Sequence, residues 1–207
     1  MRRGRPRTFD ADEALDRAMR VFWRRGYRAT TTRDLERALG IGQSSITLAF
    51  GPKEQLLDRA LGRYEARLER ELLGPLRDGE DGLAAVDTFL ERLADWLTAE
   101  DTRGCLIGRM LAETDPPEPV VSSHLRAYRA DLRAALGAAL GRAAAAGETG
   151  PEHVTSRVDL LVGTVLGCNL AVQAGYGPDE VRTLVGGARA EVGRWGAGGD
   201  RSTDRVV

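Results

Sequence analysis

Apolar residues recur along this chain at intervals of three and four, the period of a helix with one buried face, and nowhere at the interval of two that marks a half-buried strand. Over residues 10–25 the positions Ala14, Leu15, Ala18, Val21 and Phe22 share a face, Asp10, Asp12 and Glu13 place acids at the start, and Gly26 ends the helix. Thr31 and Asp34 have the spacing of a capping box and open a second helix, turned inward on Leu35, Ala38 and Leu39. Residues 40–42, with Gly40 and Gly42, read as a turn. Residues 43–49 then form a helix of barely two turns, pinned by Ile46 and Phe50 and leaving Gln43, Ser44, Thr47 and Leu48 outward. So short a helix is not stable alone and must be held by its two predecessors.

Pro52 starts a fourth helix, whose stripe of Leu56, Leu57, Ala60, Leu61, Tyr64 and Leu68 continues to about Leu72, where Gly74 and Pro75 are expected to stop it. Turn signals divide the rest of the chain into helices over 82–98, 102–113, 120–146, 151–174 and 178–195, with a Gly, Asp and Ser tail expected to be disordered. The pattern predicts an all-α fold: a three-helix head over residues 1–51, a six-helix core over 52–195 and a tail over 196–207. Within the head, the helix, Gly-centred turn and second short helix of residues 30–50 read as a DNA-binding helix-turn-helix.

Charge sharpens that reading. The net charge of −1 conceals a head with 12 Lys+Arg against 6 Asp+Glu over residues 1–53, and a remainder with 18 against 25. A basic head gains affinity by releasing counterions from phosphates, whereas an acidic body is repelled, so a polyanion is expected at one end only. The alternative is that these arginines only decorate solvated helices. The two cysteines, Cys105 and Cys168, make neither a disulfide framework nor, with His124 and His153, a zinc set, so a reducing, cytoplasmic setting without metal or cofactor is expected. No apolar run follows the basic N-terminus, so no signal peptide is expected there. The uncharged stretch 160–178 contains Thr164, Asn169, Gln173 and several glycines, and its apolar part is shorter than the ~20 residues a bilayer needs. It reads as a buried interface helix rather than a membrane span.

The order Gly26-Tyr27, Ala29-Thr30-Thr31, Asp34-Leu35, Ala38, Gly40-Ile41, Ser45-Ile46, Phe50-Gly51, Lys53-Glu54 resembles the head of the TetR family of transcriptional regulators over about residues 4–57. Beyond the head, Arg103-Gly104-Cys105-Leu106 is similar to a subgroup with Gly-Cys-Leu at the start of its sixth helix. The resemblance implies a homodimer that places recognition helices in successive major grooves of a palindromic operator. It also implies a helical core that binds a small-molecule inducer, whose binding spreads the heads and releases DNA. Two positions depart from the family pattern: Thr47 stands where a tyrosine usually contacts a phosphate, and Gly42 where a polar cap is usual.

The head offers a set of candidate DNA contacts. Arg3, Arg5 and Arg7, with Arg2 and Pro6, suit phosphates or a narrow minor groove. Gln43 can read adenine or bind a phosphate, and Ser44 and Ser45 suit either. Thr47 retains one hydroxyl for a phosphate, and Leu48 can meet a thymine methyl or stand exposed. Thr30, Thr31 and Lys53, the chain's one lysine, sit at helix starts that suit phosphate positioning. Phe50 is expected in the core; Tyr27 is either core or a ring whose hydroxyl reaches a phosphate.

In the core, Phe89, Leu93, Trp96, Met110 and Leu166 offer apolar walls for a pocket, with His124, Tyr128 and Asn169 as polar groups and His124 and Tyr128 on one face. Cys105 is expected in the first turn of a helix near Arg103 and Arg109, where a lowered thiol pKa would suit sensing of electrophiles or oxidants; the alternative is the usual state of a free cysteine, a buried small hydrophobe. Gly163 and Gly167, four apart, give the uncharged helix a smooth face. Val158, Val162 and Val165 on it, with Val181, Leu184, Val185, Ala188 and Val192 on the final helix, are the expected dimer interface. Two further readings compete: a cysteine-dependent hydrolase using Cys105 with His124, for which no orienting acid or phosphate loop is found, and an architectural DNA coater without inducer.

Overall fold

The computed structural model describes residues 9–99, 104–111, 113 and 118–197, and within them the chain is helical, with no strand. The head comprises α1 (Ala11–Arg25), α2 (Thr32–Leu39) and α3 (Gln43–Phe50). Asp10 caps α1 by accepting from the backbone N–H groups of Asp12 and Glu13, and Gly26 leaves it at φ 84°, a left-handed value costly for any side chain. The expected capping box opens α2: Thr31 Oγ1 accepts from the Asp34 N–H while the Asp34 carboxylate accepts from the Thr31 N–H. Gly40, at φ 72°, turns the chain toward α3. Ile46 and Phe50 are buried under α3, as its outward polar face requires.

α4 (Lys53–Leu68) buries Leu56, Leu57, Ala60, Leu61, Tyr64 and Leu68, and packs against α1 and α3 on one side and α8 (Pro119–Ala145) on the other. Gly74 and Pro75 do not end this run as expected. A π turn over Glu69–Leu73 brings the Gly74 N–H to the Glu69 carbonyl, five residues back, and the chain continues as α5 (Gly74–Asp78). A π turn is wide enough to admit a proline, which lacks the N–H an α-ladder would use. Arg142 closes the far end of α5, donating to the carbonyls of Leu76, Arg77 and Asp81 at 2.7, 2.8 and 3.0 Å.

The rest of the core is α6 (Leu83–Thr98), α7 (Leu106–Leu111), α8, then α9 (Val154–Gln173), reached through a short 3₁₀ turn, and α10 (Pro178–Ala197). With α5 distinct, the core has seven α-helices among the described residues where six were expected. The 27-residue α8 is central, packing against α4, α5, α6, α7 and α9. α10 lies on α6 and α9, tied to α6 by a bidentate Arg189–Asp87 pair at 2.7 Å. The turn and helix over residues 151–173 are long and apolar enough, by length and composition, to cross a bilayer, yet part of this segment is core within the fold.

Head and core meet around three aromatic rings: Trp23 of α1, Tyr64 of α4 and Trp96 of α6. Trp23 stands edge-on to Tyr64 at 5.0 Å between centroids, and Trp96 lies 6.3 and 6.0 Å from the two. The Trp23 indole N–H also donates to the Gly104 carbonyl, at 2.9 Å, just before α7.

The dimer-interface expectation is corrected in most of its members. Val158, Val162 and Val165 of α9, and Val181, Val185 and Val192 of α10, are buried within the subunit; Ala188 is half-buried. Only Leu184 is exposed. The open face of the same two helices carries Leu160, Leu170 and Leu184, with Tyr176 in the turn between them, among Gly163, Gly167, Gly186 and Gly187, where an added Cβ would meet nothing within 4 Å.

α8 is also tied to α4 through His124. Its Nε2 lies 3.0 Å from the Asp58 carboxylate and its Nδ1 2.8 Å from that of Glu65. Those carboxylates, Glu65 foremost, raise the histidine pKa above its ordinary 6.5 against the opposing effect of burial. A group whose pKa rises on folding contributes stability fully below its unfolded value and loses it as pH climbs through the folded one. His124→Gln is therefore expected to lower the urea midpoint most below about pH 6.5, with the gap to the wild type narrowing as pH rises past the raised value. A gap independent of pH, read by fluorescence, would contradict this.

Candidate nucleic-acid interface and core cavity

The outer surface of the head is built by α2, the turn and α3. Gln43, Ser44, Ser45, Thr47 and Leu48 all stand exposed, Leu48 at 89% of its surface. Gly42 provides no side-chain cap for α3, but the Glu36 carboxylate reaches across the turn from α2 and accepts from the Gln43 N–H at 2.7 Å. Sequence reasoning missed Glu36; its position seven residues before Gln43, on the turn-facing side of α2, was the available signal. At the other end, Arg59 of α4 donates to the Ala49 carbonyl, complementing the negative end of the helix.

Thr30 is corrected as a contact: it is 1% exposed and its hydroxyl donates inward to the Gly26 carbonyl, closing the loop between α1 and α2. Thr31 is exposed at the start of α2, with its hydroxyl shared with the Asp34 carboxylate, whose pKa these bonds to Thr31 lower. Thr32 and Arg33 stand exposed beside it and were not anticipated. Lys53 lies over the Tyr27 ring, 4.3 Å from its centroid, and partial burial lowers the amine pKa. Tyr27 is half-buried against Phe22, so its ring serves both core packing and the seat of that lysine. Arg3, Arg5 and Arg7 lie outside the described residues. Phe9, which follows them, packs on Phe50 at the end of α3, 6.2 Å between ring centroids.

The core contains a cavity of about 250 Å³ between α7, α8 and α9, lined by Cys105, Leu125, Tyr128, Leu166, Asn169 and Gln173 among others. Four of the expected pocket residues, Cys105, Tyr128, Leu166 and Asn169, meet there. The others do not: Trp96 belongs to the aromatic contact with the head, Phe89, Leu93 and Met110 are buried outside this lining, and His124 faces α4. Periodicity puts His124 and Tyr128 on one face, but the two side chains serve different neighbours.

Cys105 precedes α7 rather than lying within its first turn. Its carbonyl accepts from Arg109 N–H and its Sγ from Gly108 N–H, at 3.4 Å. The helix start favours a thiolate, but burial is the larger effect and pushes the thiol pKa up. Of the two readings of Cys105, burial favours the small buried side chain with a protonated thiol over an activated thiolate. With both His124 nitrogens on carboxylates, no base is presented to it either.

Residues 14–60 match the family described as bacterial regulatory proteins, tetR family, and residues 82–185 match the tetracyclin repressor-like C-terminal domain. The chain is 30% identical over 190 residues, 89% of each protein, to the HTH-type transcriptional repressor ComR of Escherichia coli K12. It is 29% identical over 114 residues to the repressor BdcR of the same organism, 55% of this chain and 58% of that protein. Among solved structures, a cysteine mutant of the regulator CifR complexed with 26-bp operator DNA superposes with a TM-score of 0.80 at 26% identity, covering 90% of this chain and 98% of that one.

The Glu36 cap is directly testable. Glu36→Ala is expected to destabilise the head by about 1 kcal/mol, as loss of a helix cap does, and adding Gly42→Ser should restore only a few tenths of a kcal/mol by supplying a side-chain cap from the position itself. Urea unfolding of the wild type and the two variants reads both effects; an unchanged midpoint in Glu36→Ala would show the contact to be idle.

Proposed function

The chain belongs to the TetR family of bacterial regulatory proteins, and from that premise we propose that it is a repressor that grips a palindromic operator as a homodimer and is released by a small-molecule inducer. The observation that carries the DNA reading is the exposed row of Gln43, Ser44, Ser45, Thr47 and Leu48 on a helix capped and seated from behind. Gln43 and Leu48 would address base edges; Thr31, Thr47 and Lys53 would position phosphates.

The dimer reading is supported by the open face of α9 and α10. Leu160, Leu170 and Leu184 there are 53, 70 and 43% exposed, on a surface whose glycines permit close approach. Two copies of that face would form a four-helix, two-fold interface. Release is supported by the route from cavity to head: Cys105 lines the cavity, the preceding Gly104 carbonyl holds Trp23 of α1, and Tyr64 of α4 lies against Trp23. Displacing the start of α7 would disturb the seating of the head. A second reading, in which electrophiles or oxidants act at Cys105, draws support from its place in that wall, although a protonated thiol would react slowly.

A gel shift with the DNA upstream of its own gene is expected to show salt-sensitive binding that unrelated competitor duplexes do not abolish; absence of binding at low salt would overturn the reading. Gln43→Ala should cost about 1–3 kcal/mol on the operator and relax discrimination at one base pair. Lys53→Ala should instead weaken all duplexes evenly and reduce the salt slope by about one. For the dimer, Leu184→Glu is expected to yield monomers in sedimentation at concentrations where the wild type is dimeric, with helical content retained.

A further inference from the structure

The cavity between α7, α8 and α9 has one feature that its apolar character does not require. Asn169 sits in its wall, 8% exposed, in the C-terminal half of α9. Its amide nitrogen donates to the Val165 carbonyl, one turn back, at 2.9 Å. That bond fixes the orientation of the side chain, because exchanging nitrogen and oxygen would oppose two carbonyl oxygens. The amide oxygen is left buried with no hydrogen-bond partner. A buried acceptor without a donor forfeits its hydration with nothing in return, and such a group calls for an explanation.

Size limits what can supply the donor. The cavity holds about 250 Å³, below the range of drug-sized pockets, whereas a cavity of roughly 150 Å³ accommodates benzene. Leu125 and Leu166 make its lining largely apolar, Cys105 in the same wall is protonated, and the one charged residue of the lining, Arg129, is exposed to solvent. The geometry points to a ligand consisting of one small apolar body, the size of a single substituted ring, that donates one hydroxyl or N–H hydrogen bond to the Asn169 amide oxygen. Phenols and compact alcohols belong to this class. Their unsubstituted hydrocarbons, and ethers that keep the oxygen but lose its hydrogen, do not. This inference rests on the regulator reading for its biological meaning, since the bound molecule would be the inducer.

The test compares p-cresol with p-xylene and 4-methylanisole by titration calorimetry on the full chain. In a purely apolar cavity p-xylene, the more hydrophobic molecule of equal size, would bind best. The expected result is the reverse, with p-cresol favoured by about tenfold over both, as for a site whose polar group is otherwise left unpaired. In Asn169→Leu the order should invert in favour of p-xylene. Equal affinities in the wild type, or a cresol preference that survives Asn169→Leu, would overturn the proposal. The wild-type series alone decides the matter if the variant does not fold. A parallel gel shift separates the two readings: if cresol binds with the stated preference and no operator is gripped, the regulator reading fails and the cavity assignment stands. Operator binding with no cresol preference overturns the cavity assignment and leaves the regulator reading intact.

Discussion

At the centre of the contacts between head and core is the packing of Trp23, Tyr64 and Trp96 from α1, α4 and α6. α4 makes this possible because its buried stripe is continuous from Leu56 to Leu68, so a single helix supplies the floor of the head and a wall of the core. Tyr64 is fully buried within that stripe. Aromatic side chains of this size bury more surface than any aliphatic alternative and meet in preferred tilted geometries, which makes the joint stiff rather than merely adhesive. The Trp23–Gly104 hydrogen bond then fastens the stiff joint to the segment that opens α7.

The head is more legible in the sequence than the core, for a physical reason. In α1, α2 and α3 each helix has one apolar face, so period alone tells inside from outside: Ile46 and Phe50 are buried while Gln43 and Leu48 are exposed. Local rules also suffice for Thr31 and Asp34, whose reciprocal bonds lie three residues apart. α9 is different, being apolar on two faces. Periodicity cannot say whether Val158, Val162 and Val165 or Leu160 and Leu170 will find cover within the subunit, and it is the valines that do.

Other features depend on contacts distant in sequence. His124 is drawn to α4 by Asp58, 66 positions away, and by Glu65 two turns further along the same helix. Cys105 does stand at a helix start, yet its protonation is governed by burial that no local motif encodes. Thr30 occupies a plausible contact position, but the Gly26 carbonyl claims its hydroxyl. The survival of the helix through Gly74 and Pro75 has the same character, since a π turn substitutes for the break that residue type alone implies.

Glu36 supplies from α2 the cap that α3 lacks at Gly42. α3 is therefore anchored by a residue that takes no part in its outer face. The exposed positions Gln43, Ser44, Ser45, Thr47 and Leu48 are thereby relieved of any duty to cap their own helix start, and substitutions among them would change the outer face without loosening how the helix is held. Such separation of support from vocabulary is what lets a lineage acquire new target sequences by point mutation while keeping one scaffold.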